Sequence, residues 1–255
     1  MRVGSLFCGS GGFDLAARRM GWQTLWASEI DPKARAVFAR HFPNARLYGD
    51  VATVHASDVE PVDVLCSGSP CQDISFAGLG EGLEGQRSGL YRHWIRLLGD
   101  LRCPYGVMEN VSALLVRGLG TVLGALSNIG YDAEWVSFPA SRLGAPHVRH
   151  RTWILAYPHG TGGQGLVTSA DFSPSGSWRW HGETDLQSIA AAPFERGDRW
   201  PQPLLRRMDD GLSGRVDRLR LMGNAIVPQA AEVIFRAIQR HALDNPDAWR
   251  YLPNP

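Results

Sequence analysis

Short apolar runs alternate with stretches of helical periodicity over most of this chain. Val3 to Phe7 is apolar, Gly9-Ser10-Gly11-Gly12 makes a turn, and Phe13 to Met20 has helical spacing that stops at Gly21. Thr24 to Ser28 reads as a second strand ending in Glu29. Pro32 then opens a helix at its first turn, where a proline removes no hydrogen bond. Asp50, Val62–Cys66, Tyr105–Met108, Ala133–Phe138 and Thr152–Tyr157 continue the strand series. Apolar-periodic segments around Leu90–Leu101 and Leu119–Ile129 lie between them. This alternation predicts an α/β fold with a doubly wound, mostly parallel sheet.

The texture changes from Pro158 to Pro203. Glycine, serine and proline become frequent, periodicity fades, and Trp178, Trp180 and Trp200 stand beside Arg179 and Arg199. Tryptophans need something to pack on, so a small inserted lobe is expected over residues 158–214. Regularity returns with Gly223-Asn224 and a helix from Val227 to about Ala242. The main domain is therefore expected to be discontinuous, 1–157 with 215–245, followed by a loose tail over 246–255.

An apolar content of 44% in 255 residues suffices for a sizeable core. No run approaches the roughly 18 apolar residues of a membrane helix, and the start lacks a signal peptide's pattern. A cytoplasmic protein with no membrane partner is the expectation. The four cysteines, Cys8, Cys66, Cys71 and Cys103, form no C-x-x-C pair, so neither zinc nor a disulfide framework is indicated. Net charge is +1, which announces no nucleic acid, but Lys33 is the sole lysine and two acid-free stretches stand out. Arg87 to Arg96 and Arg142 to Arg151 favour an anionic substrate, since arginine's planar fork suits phosphate and base edges.

The chemistry centres on Ser69-Pro70-Cys71-Gln72, which follows a predicted strand. A thiolate there would stand at a carboxyl edge, where open α/β sheets place their ligands. The glycine turn after the first strand frees helix amides to face a ligand, and Glu29 is placed to accept ribose hydroxyls. Its spacing is not G-x-G-x-x-G, and no phosphate-binding lysine follows. A nucleoside without phosphates fits, with S-adenosyl-L-methionine the obvious candidate.

In motif order the chain resembles the DNA (cytosine-5) methyltransferases. The resemblance runs from Val3 to about Tyr157 and from Arg215 to about Ala237. Phe7 to Phe13, Glu29-Ile30 and Gly49-Asp50-Val51 are similar to three cofactor motifs, and Gly68 to Ser75 to the nucleophile motif. Arg87 to Tyr91, Glu109-Asn110-Val111, Arg149-x-Arg151 and Gly223 to Gln229 follow in the family's order. One departure is His147, where the family usually has glutamine; another is the short recognition region.

The resemblance implies catalytic roles for Cys71, Glu109, Arg149 and Arg151. It implies cofactor contacts from Phe7, Gly9, Gly11, Gly12, Phe13, Glu29, Ile30, Asp50, Val51, Pro70, Leu90, Asn224 and Ala225. Gln72, Ser75, Arg87, Arg179 and Arg199 are the candidates for touching nucleic acid. Cys71 would add to cytosine C6, making C5 nucleophilic; Glu109 would hold a proton at N3 and Arg151 the O2. Arg149 would support the thiolate or a phosphate. Because C6 is covered by stacked neighbours, the base must be flipped out of duplex DNA. The glycine-rich stretch from Gln72 to Gly89 suits a lid over it. Cys8, Cys66 and Cys103 are read as core residues.

Within that reading a transfer-RNA substrate is an alternative, as is a catalytically silent DNA-binding relative. The lobe lacks a Cys-Phe-Thr signature, which argues against the first; Cys71 and Glu109 are both present, which argues against the second. A monomer acting on double-stranded DNA is expected, either paired with a cognate restriction endonuclease or as a solitary, phage-borne enzyme.

Overall fold

The computed structural model describes residues 1–70, 88–145, 147–161, 165–172 and 225–245. In chain order they form β1 (Arg2–Leu6), α1 (Gly12–Arg19), β2 (Gln23–Ser28), α2 (Pro32–His41), β3 (Arg46–Tyr48) and β4 (Val64–Ser67). Then come α3 (Tyr91–Leu101), β5 (Tyr105–Val111), α4 (Leu114–Arg117), α5 (Leu119–Asn128), β6 (Tyr131–Pro139), β7 (His150–Pro158) and α6 (Pro228–Asp244). Helix starts follow local chemistry: Asp31 caps α2 by accepting from the amides of Lys33 at 2.8 Å and Ala34 at 3.3 Å, with Pro32 at the first position. Asp50 departs from expectation. It lies just past β3, not in a strand, and its Oδ1 accepts from the Ala52 amide at 2.9 Å to cap a 3-10 turn.

The seven strands form one sheet in the order β3-β2-β1-β4-β5-β7-β6. β1 to β5 pair parallel, whereas β7 runs antiparallel to both neighbours. A doubly wound, mostly parallel sheet is thus present, with a single reversal at β7. That reversal follows from connection length: only residues 140–149, with a 3-10 turn over Ala140–Leu143, join β6 to β7, and a parallel return would need a longer crossover.

Consecutive strand residues point to opposite faces, so the apolar run Val64-Leu65-Cys66 feeds two cores. Val64 and Cys66 join Phe13, Trp22, Val107, Trp153 and Phe235 on the α1 and α6 side. Leu65 joins Trp94, Leu98, Met108 and Ile154 on the α3 and α5 side. Each fully buried side chain of this size contributes about 1.5–3 kcal/mol. Cys8, Cys66 and Cys103 are buried free thiols, as expected. α6 returns to lie beside α1, tied by Arg19 Nη1 to Glu232 Oε1 at 3.0 Å. No helix among the described residues is long and apolar enough to cross a membrane.

Candidate active site

Two groups of residues meet along the carboxyl edge of the sheet. The first surrounds the turn after β1. Phe7 takes φ 53°, uncommon for a bulky side chain, and is held there by its neighbours. The Cys8 amide donates to Ser28 O at 3.1 Å, and the Gly9 amide donates to Glu29 Oε2 at 2.8 Å. Glu29 Oε1 accepts from the Asp31 amide at 2.9 Å. Each carboxylate oxygen therefore retains a lone pair for a further donor.

Among the described residues no atom outside its immediate chain neighbours lies within 4 Å of a Cβ built on Gly9, so these leave the space above the turn open. Beside it Ile30 is 69% exposed, a large apolar side chain left in water at a sheet edge. Asp50 is exposed, Val51 is buried under it, and Leu90 is half-buried at the head of α3. Pro70 is exposed just beyond β4.

Residues far apart in sequence close this group from below. A Cβ on Gly12 would lie 2.5 Å from Ile226 O, and one on Gly68 would lie 3.3 Å from Ile226 Cδ1 and 3.5 Å from Phe7 O. Only glycine at residue 12 admits the segment Ala225–Val227 onto the turn. Carboxylate acceptors at Glu29, the exposed apolar side chain of Ile30 and an open glycine turn have the chemistry to suit an adenosyl group.

The second group stands on β5 and β7. Glu109 pairs in register with Trp153, and Val111 with Arg151, so Glu109, Arg151 and Trp153 share the face toward α6. The Glu109 side chain is 9% exposed, and Arg151 Nε stands 3.0 Å from its Oε1. This contact is an ion pair, not an aligned hydrogen bond. Burial pushes the Glu109 carboxyl above its ordinary value, while the charges of Arg151 and then Arg149 pull the other way. The result is a carboxyl that retains a proton more readily than a surface glutamate. Desolvation, and then Arg149, push the His147 imidazole down.

Glu109, Arg149 and Arg151 line one pocket together with Phe138, Ala140, Trp153, Val227 and Ala230. The last five were not named as site residues from the sequence. Trp153 carried a usable signal, because two places beyond Arg151 in a strand is the same face. Val227 lies within the motif Gly223 to Gln229, whereas Phe138 carried no signal, since β6 reaches the pocket only through tertiary packing. Cys71, Gln72, Ser75, Arg87, Arg179, Arg199 and Asn224 lie outside the described residues, as do Trp178, Trp180 and Trp200.

A mostly parallel sheet reversed at its next-to-last position, with an open glycine turn on one side and a buried carboxyl–arginine pair on the other, has a Rossmann-like α/β architecture. The C-5 cytosine-specific DNA methylase family profile matches residues 1–181. The chain belongs to that family.

Type II methyltransferase M2.BsuMI of Bacillus subtilis (strain 168) is 34% identical over 164 residues, covering 61% of this chain and 42% of that protein. Orphan methyltransferase M.Rho11sI of Bacillus phage rho11s is 32% identical over 163 residues, covering 61% of this chain and 32% of its own. The match thus spans less than half of either relative's length. S. pombe Dnmt2 methyltransferase shares the fold at a TM-score of 0.56 and 20% identity, over 72% of this chain and 58% of that one.

Proposed function

We propose that this chain is a DNA cytosine C5 methyltransferase acting on a base flipped out of double-stranded DNA. The single observation that carries the reading is the buried Glu109 carboxyl at the tip of β5, 3.0 Å from Arg151, in a chain of this family. Arg151 is poised to turn its guanidinium to the cytosine O2, and Glu109 to hold a proton at N3. With N3 so engaged, the Cys71 thiolate adds to C6 and the ring's electrons move toward C5. Glu29, Ile30, Asp50 and the turn Phe7 to Gly12 would hold S-adenosyl-L-methionine, whose sulfonium would give its methyl group to C5 and depart as the neutral thioether. Once C5 carries the methyl group, loss of the C5 proton to water and expulsion of the thiolate restore the aromatic ring. Phe138, Trp153 and Val227 wall the pocket against water, which strengthens each electrostatic contact inside it.

Tritiated methyl donor incubated with protein and either duplex DNA or transfer RNA tests the activity. Label in DNA that is lost in Cys71→Ser, with cofactor binding retained, is the expected result. DNA carrying 5-fluorocytosine should trap a denaturation-resistant adduct through Cys71. Unchanged turnover in the serine variant would refute the assignment. We place the enzyme in the cytoplasm as a monomer. The Type II name of one relative supports a partner endonuclease and the orphan name of the other a solitary enzyme; bisulfite sequencing of DNA from expressing cells gives the site against which an endonuclease is sought.

A further inference from the structure

Beyond β7 the chain does not leave the catalytic core at Pro158. Residues 159–161 and 165–172 follow α6 from its carboxyl end toward its middle. Thr161 O lies 3.1 Å from His241 Nε2, and Arg240 donates to Leu166 O. Asp171, 3% exposed, lies 3.1 Å from Arg240 Nη2, and its own carbonyl accepts from Arg236 Nη1 at 3.2 Å. The next residue, Phe172, meets a different element. Its ring stands edge-on to Phe138 of β6, centroids 4.9 Å apart at 87°, with the Arg142 guanidinium over it at 3.9 Å.

These two neighbours hold two walls of one pocket. Phe138 lines the Glu109 pocket from β6, stacked 6.1 Å from Trp153, and Val227 and Ala230 line it from the first turn of α6. Asp171 fixes α6 and Phe172 fixes β6, with a single peptide bond between them. The covalent link into residues 173–224 leaves from that bond.

We propose that Asp171 and Phe172, with Arg142 over the ring, form a clamp that sets the width of the Glu109 pocket and anchors the start of the DNA-recognition region to the catalytic core, which extends through Phe172 rather than ending at Pro158. Asp171, Phe172 and Arg142 are positioning residues: they touch no reacting atom and act through Phe138 and α6. The proposal rests on the assignment of the pocket to cytosine and of the region beyond residue 172 to DNA recognition. It explains why Arg142, the first arginine of a basic stretch, stacks on a ring.

The test uses Phe172→Leu, Asp171→Asn and the surface change Arg142→Gln, with Phe172→Tyr as the conservative rescue. Hydrogen exchange reads the clamp without needing activity: faster exchange in the first turns of α6 and along β6 is expected in the first two variants. Steady-state methylation reads its role. With cofactor affinity held, kcat should fall roughly ten- to hundredfold, discrimination against altered sites should weaken, and Phe172→Tyr should restore both. Unchanged exchange in all three variants overturns the clamp, whether or not the protein methylates DNA. Altered exchange with normal kcat and site discrimination overturns the positioning role. Absence of methyl transfer by the unmodified protein would instead remove the proposed function, and exchange alone would then decide the clamp.

Discussion

The carbonyl oxygen of Ile226 occupies the place that a Cβ on Gly12 would need, 2.5 Å away. More than two hundred residues of chain separate them, yet their contact seats the last described helix on the first glycine turn. The same turn carries the proposed cofactor site, so crowding at residue 12 should reach both folding and binding.

Gly12→Ala should therefore destabilise the protein by about 1–3 kcal/mol, the usual cost of overpacking a filled site. Cofactor affinity should fall more than this loss of stability explains, because Ile226 is pushed off the turn. Urea unfolding and calorimetric titration with the cofactor check the two effects separately.

Glu29 supports the Gly9 and Asp31 amides and still has acceptor capacity to spare. Truncation to alanine removes a charged acceptor from two backbone donors, each such bond contributing about 1.5–3 kcal/mol. We expect Glu29→Ala to weaken the cofactor by at least tenfold, roughly 1.4 kcal/mol. Equal affinity in the variant would remove Glu29 from the site.

For Glu109 the proton is the issue. Burial raises the pKa of its carboxyl against the pull of Arg151 and Arg149, so the proton-holding form is lost as pH rises through that raised value. Glu109→Gln, which cannot exchange a proton, should lower kcat by roughly 10²–10⁴ while cofactor binding stays normal. Arg151→Met should raise the carboxyl further and move the alkaline limb of the rate profile to higher pH. Carbon-13 shifts of labelled Glu109 across the titration measure the direction.

Asp14 gives a pH effect on folding. It is fully buried in α1, accepting from Ser5 Oγ at 3.2 Å and Thr24 Oγ1 at 3.0 Å. Burial outweighs those bonds and pushes its pKa from 3.8 to about 6. The folded state thus binds a proton more tightly than the unfolded chain. Its contribution is fully present below 3.8 and is lost as pH rises through about 6. The protein should lose roughly 3 kcal/mol across that window, and Asp14→Asn should flatten the loss. Denaturant midpoints of both proteins between pH 4 and 7 decide it.

Much of this molecule was legible in its residues because the signals are local. Apolar runs of strand length, Pro32 at a helix start and the glycine turn before Phe13 act within a few residues, and the structure follows them with shifts of one to three positions. Glu109 and Arg151 were marked as candidates by motif order before any geometry, and the structure brings the two together in one pocket. Asp50 was misplaced by pattern because a short strand and the cap after it look alike over three residues. The pocket wall from Phe138 and the clamp at Asp171 and Phe172 left no pattern at all. Their partners, Trp153, Arg240 and Arg236, lie far away in sequence.

The order of residues alone determined the α/β class and the family resemblance, and it suggested the reacting groups we propose, since each depends on neighbours along one chain. Folding alone decided that Glu109 faces Arg151, that Ile226 seats on Gly12, and that Phe172 closes on Phe138. Strand register and helix docking set those contacts, and both are fixed by burial of whole faces, which no short window of sequence contains.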